Sequence, residues 1–252
     1  MHKISVITVC FNAAEHIEET IQSVVEQKGV EFEYIVVDGL STDGTIDIIK
    51  RYQASIDHWV SDADGGIADA MNKGVKLATG EYLIFLHADD YFIKADVLAN
   101  ALTSMATEVD IYAFDVLYQT KDKQLRKSTK PFGFLTNFKT PVMHQGAFCK
   151  RALLTKLDGF NTNYRIAMDY DFFLRAYQQG ASMEIKHHVV SVMRDSGISS
   201  RKDWPSLKVR FAEEKRVHFE NNSSIFMKAI YGVYWSFYIP YRRAVFIVGD
   251  CL

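Results

Sequence analysis

Between Gly80 and Tyr91 the chain reads GEYLIFLHADDY, and this stretch limits the fold more than any other. Tyr82-Leu-Ile-Phe-Leu86 is a short run of apolar β-formers opening after a glycine, the pattern of a strand buried in a parallel sheet. Asp89 and Asp90 follow where the strand runs out, and open α/β sheets bind ligands at that edge. Neighbouring carboxylates repel, and a cation relieves the repulsion. The same pair also suits a plain polar turn, since Asp is a common turn residue. The flanking chain decides between the two.

Similar signals recur along the first half. Ile4 to Cys10 and Phe32 to Val37 read as buried strands, the second ending on Asp38, and Ile56 to Val60 as a short third. Helical spacing lies between them, at Ile17, Ile21, Val24 and Val25, then at Ile46, Ile48, Ile49 and Tyr52 behind a Ser41-Thr-Asp-Gly44 turn. A further helix over Ile67 to Ala78 leads into the central strand. Strands alternating with helices imply βαβ units and a mostly parallel sheet flanked by helices. After Tyr91 the pattern loosens. Val97 to Met105 predicts a helix, Asp110 to Tyr118 a strand, Lys121 to Lys130 a charged hairpin or loop, and Phe132 to Thr140 an irregular aromatic stretch. Ala147 to Leu157 is amphipathic. Met168 to Gln178 predicts a helix with Asp169 and Asp171 in its first turn, and Met183 to Val192 a strand. Leu207 to Phe219 is a basic amphipathic helix.

The 252 residues, 48% of them hydrophobic, suffice for a core of one large or one-and-a-half domains. A formal charge of −2 leaves no electrostatic footprint for nucleic acid. No glycine lies between Val9 and Ile17, so GxGxxG is absent, and a P-loop occurs nowhere. Both absences argue against a dinucleotide oxidoreductase and a P-loop NTPase. A nucleotide diphosphate bound here would instead be neutralised by a metal on carboxylates. Cys10, Cys149 and Cys251 are odd in number and far apart, the usage of a reducing compartment without structural zinc. The apolar run at the N-terminus is short and ends at Asn12 without a cleavage pattern, so we read it as a strand and the protein as cytoplasmic.

The stretch from Ile225 to Val248 is rich in aromatics, among them Phe226, Tyr231, Trp235 and Phe237. Lys228, Pro240, Arg242 and Arg243 interrupt the roughly twenty apolar residues that a spanning helix needs. Two readings stay open: a helix lying in a membrane interface, or a tail packed on its own domain or on a second subunit.

Carboxylates fall at or beyond strand ends at Asp38, Asp43, Asp64, Asp89 with Asp90, and Asp169. In a parallel sheet successive strand ends share one edge, so Asp38, Asp64 and the Asp89–Asp90 pair converge on one crevice. Four separated segments then carry a resemblance: ISVITVCFNAAEHIEETIQSVVEQ, VVDGLSTDGT, SDADGGIADAMNKGVKLATGEYLIFLHADD and MDYDFFLRA. Over Ile4 to Gln179 the chain resembles glycosyltransferase family 2, inverting enzymes with a GT-A fold, and most of all those assembling bacterial surface polysaccharides.

The resemblance implies a metal-dependent sugar transfer from a nucleotide-sugar donor, a UDP-sugar before others, to a saccharide or lipid-linked acceptor. It implies a Rossmann-like nucleotide-sugar-binding half over residues 1–118, an acceptor-binding and catalytic half over 119–203, and a C-terminal helical extension over 204–252. Phe11 matches a position stacking on the base, Asp38 one accepting from the base, and Asp64 a further nucleoside contact. Asp89 and Asp90 match the DxD-type element, with Asp89 on the ribose or sugar side and Asp90 on Mn²⁺ or Mg²⁺. Asp169 matches the general base, with Asp171 the weaker candidate. His144-Gln145 matches a segment near the acceptor, and Arg194 with the DSGISSRKD loop matches a segment closing over the diphosphate. The sequence departs from the pattern at His87, where the family often carries an acid, and at Met168, where many members carry glutamate. The expected setting is the cytoplasmic face of the inner membrane, with peripheral attachment and a homo-oligomer as a further option. The alternative is a non-catalytic GT-A domain that binds nucleotide or sugar as an assembly partner.

Overall fold

The computed structural model describes residues 3–249, so Cys251 lies outside the described residues. Strands β1 (Ile4–Cys10), β2 (Phe32–Asp38), β3 (His58–Ser61) and β4 (Tyr82–Phe85) form where the β-branched and aromatic runs place them. They are parallel, in the order β3-β2-β1-β4, with helices α1 (Ile17–Val25), α2 (Thr45–Arg51) and α3 (Ile67–Leu77) as the crossovers. Alternation divides the strands between two apolar layers. Ile7, Val9, Ile35, Val37 and Phe85 pack with Ala68 and Met71 of α3, while Val6, Tyr34, Val36 and Ile84 pack with Ile17 and Ile21 of α1. Gly80 is required at the entry to β4, because a Cβ there would lie 2.7 Å from the Ser5 nitrogen.

Beyond β4 the sheet is mixed rather than mostly parallel. β8 (Ala147–Lys150) runs antiparallel to β4 and to β6 (Ile111–Gln119), and β9 (Met183–Arg194) runs parallel to β6. β5 (Tyr91–Phe92) pairs with β9, and β7 (Gln124–Lys127) closes a hairpin on β6. Helix α4 (Val97–Ser104) follows β5. The amphipathic stretch from Ala147 divides into β8 and a short helix α5 (Arg151–Lys156). Ala147, Phe148 and Cys149 are all buried, and an apolar run covered on both faces carries no period to separate strand from helix.

Helix α6 (Met168–Gln178) starts and stops where its pattern predicts. Helices α7 (Trp204–Glu220) and α8 (Ile225–Gly249) pack together through Leu207, Phe211, Tyr231 and Trp235. Among the described residues no helix is long and apolar enough to cross a membrane. A chain of directed hydrogen bonds joins this pair to α6. Trp235 Nε1–H donates to His218 Nδ1 at 2.9 Å, and because indole can only donate, the neutral imidazole carries its proton on Nε2. Nε2–H therefore donates to the Tyr170 hydroxyl at 2.8 Å, which donates in turn to the Thr136 carbonyl at 3.3 Å.

Burial lowers the His218 pKa from 6.5 to about 4. Its folded value lies below its unfolded value, so the stability it contributes is complete above about pH 6.5 and is lost as pH falls toward 4. Thermal melts across that window should show wild type losing more stability than His218→Gln. Parallel pH curves for the two proteins would contradict this account.

Candidate active site

The C-terminal ends of the parallel strands supply one wall of the crevice. The register sets Cys10 beside Asp38 and Asp38 beside Ser61, so the loops that follow emerge together. The Phe11 ring is 64% exposed there. A Cβ built on Gly39 would lie 2.5 Å from Asp64 Oδ2 and 3.4 Å from Phe11 Cδ2, so the bare backbone of Gly39 lets the ring and the carboxylate close around one point. Asp64 is held by the Gly66 N–H at 2.8 Å. An exposed aromatic face beside a half-buried acceptor suits a nucleoside, whose base stacks and whose hydroxyls donate.

Asp38 lies beneath this surface. It is fully buried; Oδ1 accepts from the Ser41 hydroxyl, and Oδ2 accepts from the Ser41 N–H at 3.0 Å and the Ser61 hydroxyl at 2.6 Å. Its visible work is to bind two loops together, and direct contact with a base would require it to give up one of these donors. Asp43 is likewise a loop organiser, accepting from Ala14 N–H at 3.0 Å and from the Thr45 hydroxyl at 2.6 Å.

The paired carboxylates differ in burial. Asp90 is 2% exposed, and burial, then the charge of Asp89, pushes its carboxyl well above the usual range, partly offset by a hydrogen bond from Gln145. Asp89 is half-buried at the crevice, where Oδ2 accepts from the Ser196 hydroxyl at 2.9 Å. Arg194 is drawn inward, donating to the Asp89 carbonyl at 2.7 Å, pairing with Glu19 and lying over the Tyr91 ring. Arg201 and Lys202 are exposed. Among the described residues no group of three or more His, Cys, Asp or Glu is arranged to hold a metal ion alone. A divalent cation nevertheless suits this point, since a buried carboxyl forced toward its neutral form beside a second carboxylate is relieved by positive charge. Such ions are commonly held by one or two carboxylates and completed by substrate phosphates.

The opposite wall carries Asp169. Its carboxylate is 26% exposed, with Oδ2 lying 3.6 Å from His144 Nδ1. The turn that carries His144 is fixed on three sides. The Gln145 side chain reaches Asp90, the Gln145 carbonyl accepts from the Ser191 hydroxyl at 2.7 Å, and Gly146 packs so close that a Cβ would lie 2.5 Å from the Phe114 carbonyl. His144 in turn meets His87, ring centroids 4.6 Å apart. Burial, then His144, lowers the His87 pKa and keeps that ring neutral. The loop before α6 is held by Glu213 of α7, whose carboxylate accepts from the N–H groups of Arg165, Ile166 and Ala167 at 2.7–3.0 Å. Asp171 is 1% exposed and committed to Arg175 and Asn221, which removes it as a candidate base.

These contacts run between the two walls. From Asp89 a path passes through the Ser196 loop to Arg210, which donates to the Ser199 carbonyl at 3.4 Å, and to Glu214, 3.2 Å from Arg210. Glu214 feels the charge of Asp169, which His144 links to His87. Buried side-chain atoms without a hydrogen-bond partner among the described residues lie on this path, including His87 Nδ1, His144 Nε2, Ser200 Oγ and Arg210 Nε. Native proteins pair nearly all such atoms, and exceptions mark places where a ligand completes the structure. Sequence reasoning missed Gly39 and Glu213, and it singled out Gln145 without its bond to Asp90. A glycine directly after the strand-ending Asp38 was a usable signal for Gly39. Glu213 had none, being one acid on the polar face of a helix.

A Rossmann-like parallel half, a mixed second half and an acidic strand end define a GT-A-type fold. TarS of Staphylococcus aureus with UDP-GlcNAc superposes with a TM-score of 0.67 at 21% identity, covering 86% of this chain and 71% of that one. The mannosyltransferase PcManGT of Pyrobaculum calidifontis, with GDP-Man and Mn²⁺, gives 0.61 at 23% identity over 95% and 82%. The sequence matches Glycosyl transferase family 2 over residues 5–186, and the chain belongs to that family: it is a glycosyltransferase. The PGL/p-HBAD biosynthesis glycosyltransferase of Mycobacterium tuberculosis is 32% identical over 191 residues, 74% of each chain. TuaG of Bacillus subtilis, described as a putative teichuronic acid biosynthesis glycosyltransferase, is 38% identical over 115 residues, 44% of this chain and 45% of that one.

Phe11→Ala should weaken UDP binding by about tenfold or more, the cost of one base–aromatic stack, and leave the melting temperature unchanged because the ring is exposed. Calorimetry showing unaltered affinity would move the nucleoside elsewhere.

Proposed function

We propose that this enzyme transfers a sugar from a nucleotide sugar, a UDP-sugar before others, to a hydroxyl of a saccharide or lipid-linked acceptor. The transfer inverts the anomeric carbon and serves bacterial surface-polysaccharide assembly, at the cytoplasmic face of the inner membrane. One observation carries this reading: the His144–Gln145 turn meets Asp169 and His87 through His144 and Asp90 through Gln145, which supports a site formed by the paired carboxylates and Asp169 beside the Phe11 shelf. The nucleotide sugars held by the solved neighbours support the donor class, and the biosynthetic roles of the relatives support the setting.

Each residue has a task set by its environment. Phe11 stacks on the base and Asp64 accepts from the nucleoside, while Asp38 holds the two loops that form the shelf. Asp90 and Asp89 would hold Mn²⁺ or Mg²⁺ beside the donor diphosphate, Asp90 from its buried position and Asp89 from the crevice side. When bound, that cation supplies positive charge for the departing nucleoside diphosphate. Asp169 takes the proton of the acceptor hydroxyl as its oxygen bonds to the anomeric carbon. The bond from that carbon to the diphosphate oxygen breaks, and its electron pair leaves with the nucleotide. His144 is a positioning residue that keeps the carboxylate aimed across the crevice.

Asp169→Asn preserves size and removes proton acceptance. It should lower kcat by about 10²–10⁴-fold, the usual worth of general base catalysis, with donor affinity nearly unchanged. Asp171→Asn should instead act on stability, since it loosens the Arg175 pair. Near-normal turnover in Asp169→Asn would return the base assignment to the beginning.

The cation reading has its own check. Transfer should stop on chelation with EDTA and return with added Mn²⁺ or Mg²⁺. Full activity in a chelated, metal-free sample would remove the metal from Asp89 and Asp90.

A further inference from the structure

Helix α8 is apolar on both sides, which a helix at a protein surface ordinarily is not. Tyr231 and Trp235 fill the contact with α7, whereas Phe226, Val233, Phe237 and Tyr241 stand 60–74% exposed on the outer face. A second element adds to that face. The single-turn helix Phe134–Asn137 presents Phe134 and Leu135 to solvent at 62% and 77%. Phe134 packs on Phe138, and Phe138 closes an open apolar groove of about 430 Å³ with Phe226, Ala229, Ile230, Val233 and Tyr234 of α8. Two segments distant in sequence thus build one continuous apolar surface.

Both segments also lack acids. No Asp or Glu occurs from Lys123 to Lys150 or from Ile225 to Gly249, while Lys130, Lys139, Lys228 and Arg243 flank the exposed apolar residues. We propose that Phe134 and Leu135, together with the outer stripe of α8, form one docking face for an anionic lipid bilayer. Two copies of the chain meeting through this face would set cations against cations with no acid from either segment to offset them. Acyl chains would take the apolar residues and anionic headgroups the lysines and Arg243. The face is tied to the chemistry, because Tyr170 bonds the Thr136 carbonyl at 3.3 Å and Asp169 is its neighbour on α6. Docking would hold the base at the bilayer surface, where a lipid-linked acceptor presents its sugar. Only that last step rests on the proposed function.

The test is flotation of the full-length protein with vesicles of phosphatidylcholine alone or mixed with phosphatidylglycerol. Wild type should float with the anionic vesicles and weakly with the neutral ones. Phe134→Glu/Leu135→Glu and, separately, Phe237→Glu should each lower partitioning by about tenfold or more, as loss of buried apolar anchors implies. UDP affinity, measured in parallel, should stay at the wild-type value in both variants. Wild-type flotation by Phe134→Glu/Leu135→Glu, or equal binding to both vesicle types, would overturn the proposal. So would a wild-type dimer in light scattering that Phe237→Glu dissociates while no vesicle binding occurs. Absence of UDP binding in the wild type, with flotation intact, would sink the proposed function and leave this face standing.

Discussion

Every residue in the crevice depends on the register of β1. It hydrogen-bonds β2 along its whole length and β4 along part of it, and both partners are parallel to it. A slip by one residue would turn each side chain to the opposite face, exchanging the layer under α3 with the layer under α1. It would also separate the row of Cys10, Asp38 and Ser61 that brings the loop ends together. The register is specified because both faces are buried and filled by side chains of different shape. Glu33 reinforces it, accepting from Ser5 in β1 and from Thr79 before β4, two bonds that only one alignment allows.

The second wall is built by a different physics. Asp169 sits at the start of a helix, and nothing in α6 itself decides where that start points. Its direction comes from Glu213, which satisfies three successive N–H groups just before the helix, and from the donor chain running from Trp235 through His218 and Tyr170. Both supports lie in the two C-terminal helices. These helices are therefore part of the active-site scaffold as well as an appendage, even though the family match ends at residue 186.

This division explains how much was legible in the sequence. Buried parallel strands, crossover helices and α6 announce themselves through period and capping, and they appear within a residue or two of their predicted limits. The carboxylates at strand ends were legible too, since such ends must share an edge. What could not be read is which carboxylate faces outward. Asp38 and Asp90 are buried and bonded to Ser41, Ser61 and Gln145, whereas Asp89 is half-buried at the crevice. Asp89 and Asp90 lie in the turn beyond β4, where strand alternation does not apply, and only the packing of the next element decides which of them faces the crevice. β8 escaped for a related reason, being too buried to carry a period, and β5 because two residues carry none at all.

Several buried polar atoms gather at the crevice. A buried donor or acceptor without a partner costs about 1–3 kcal/mol, and His87, His144 and Ser200 each carry one along the same path as the strained carboxyl of Asp90. Elsewhere the buried carboxylates are paired, Asp115 by Arg126, Ser128 and Thr129 and Asp171 by Arg175 and Asn221, although the Tyr112 and Tyr231 hydroxyls are buried without a partner among the described residues. The crevice atoms suit polar groups and positive charge that arrive with substrate.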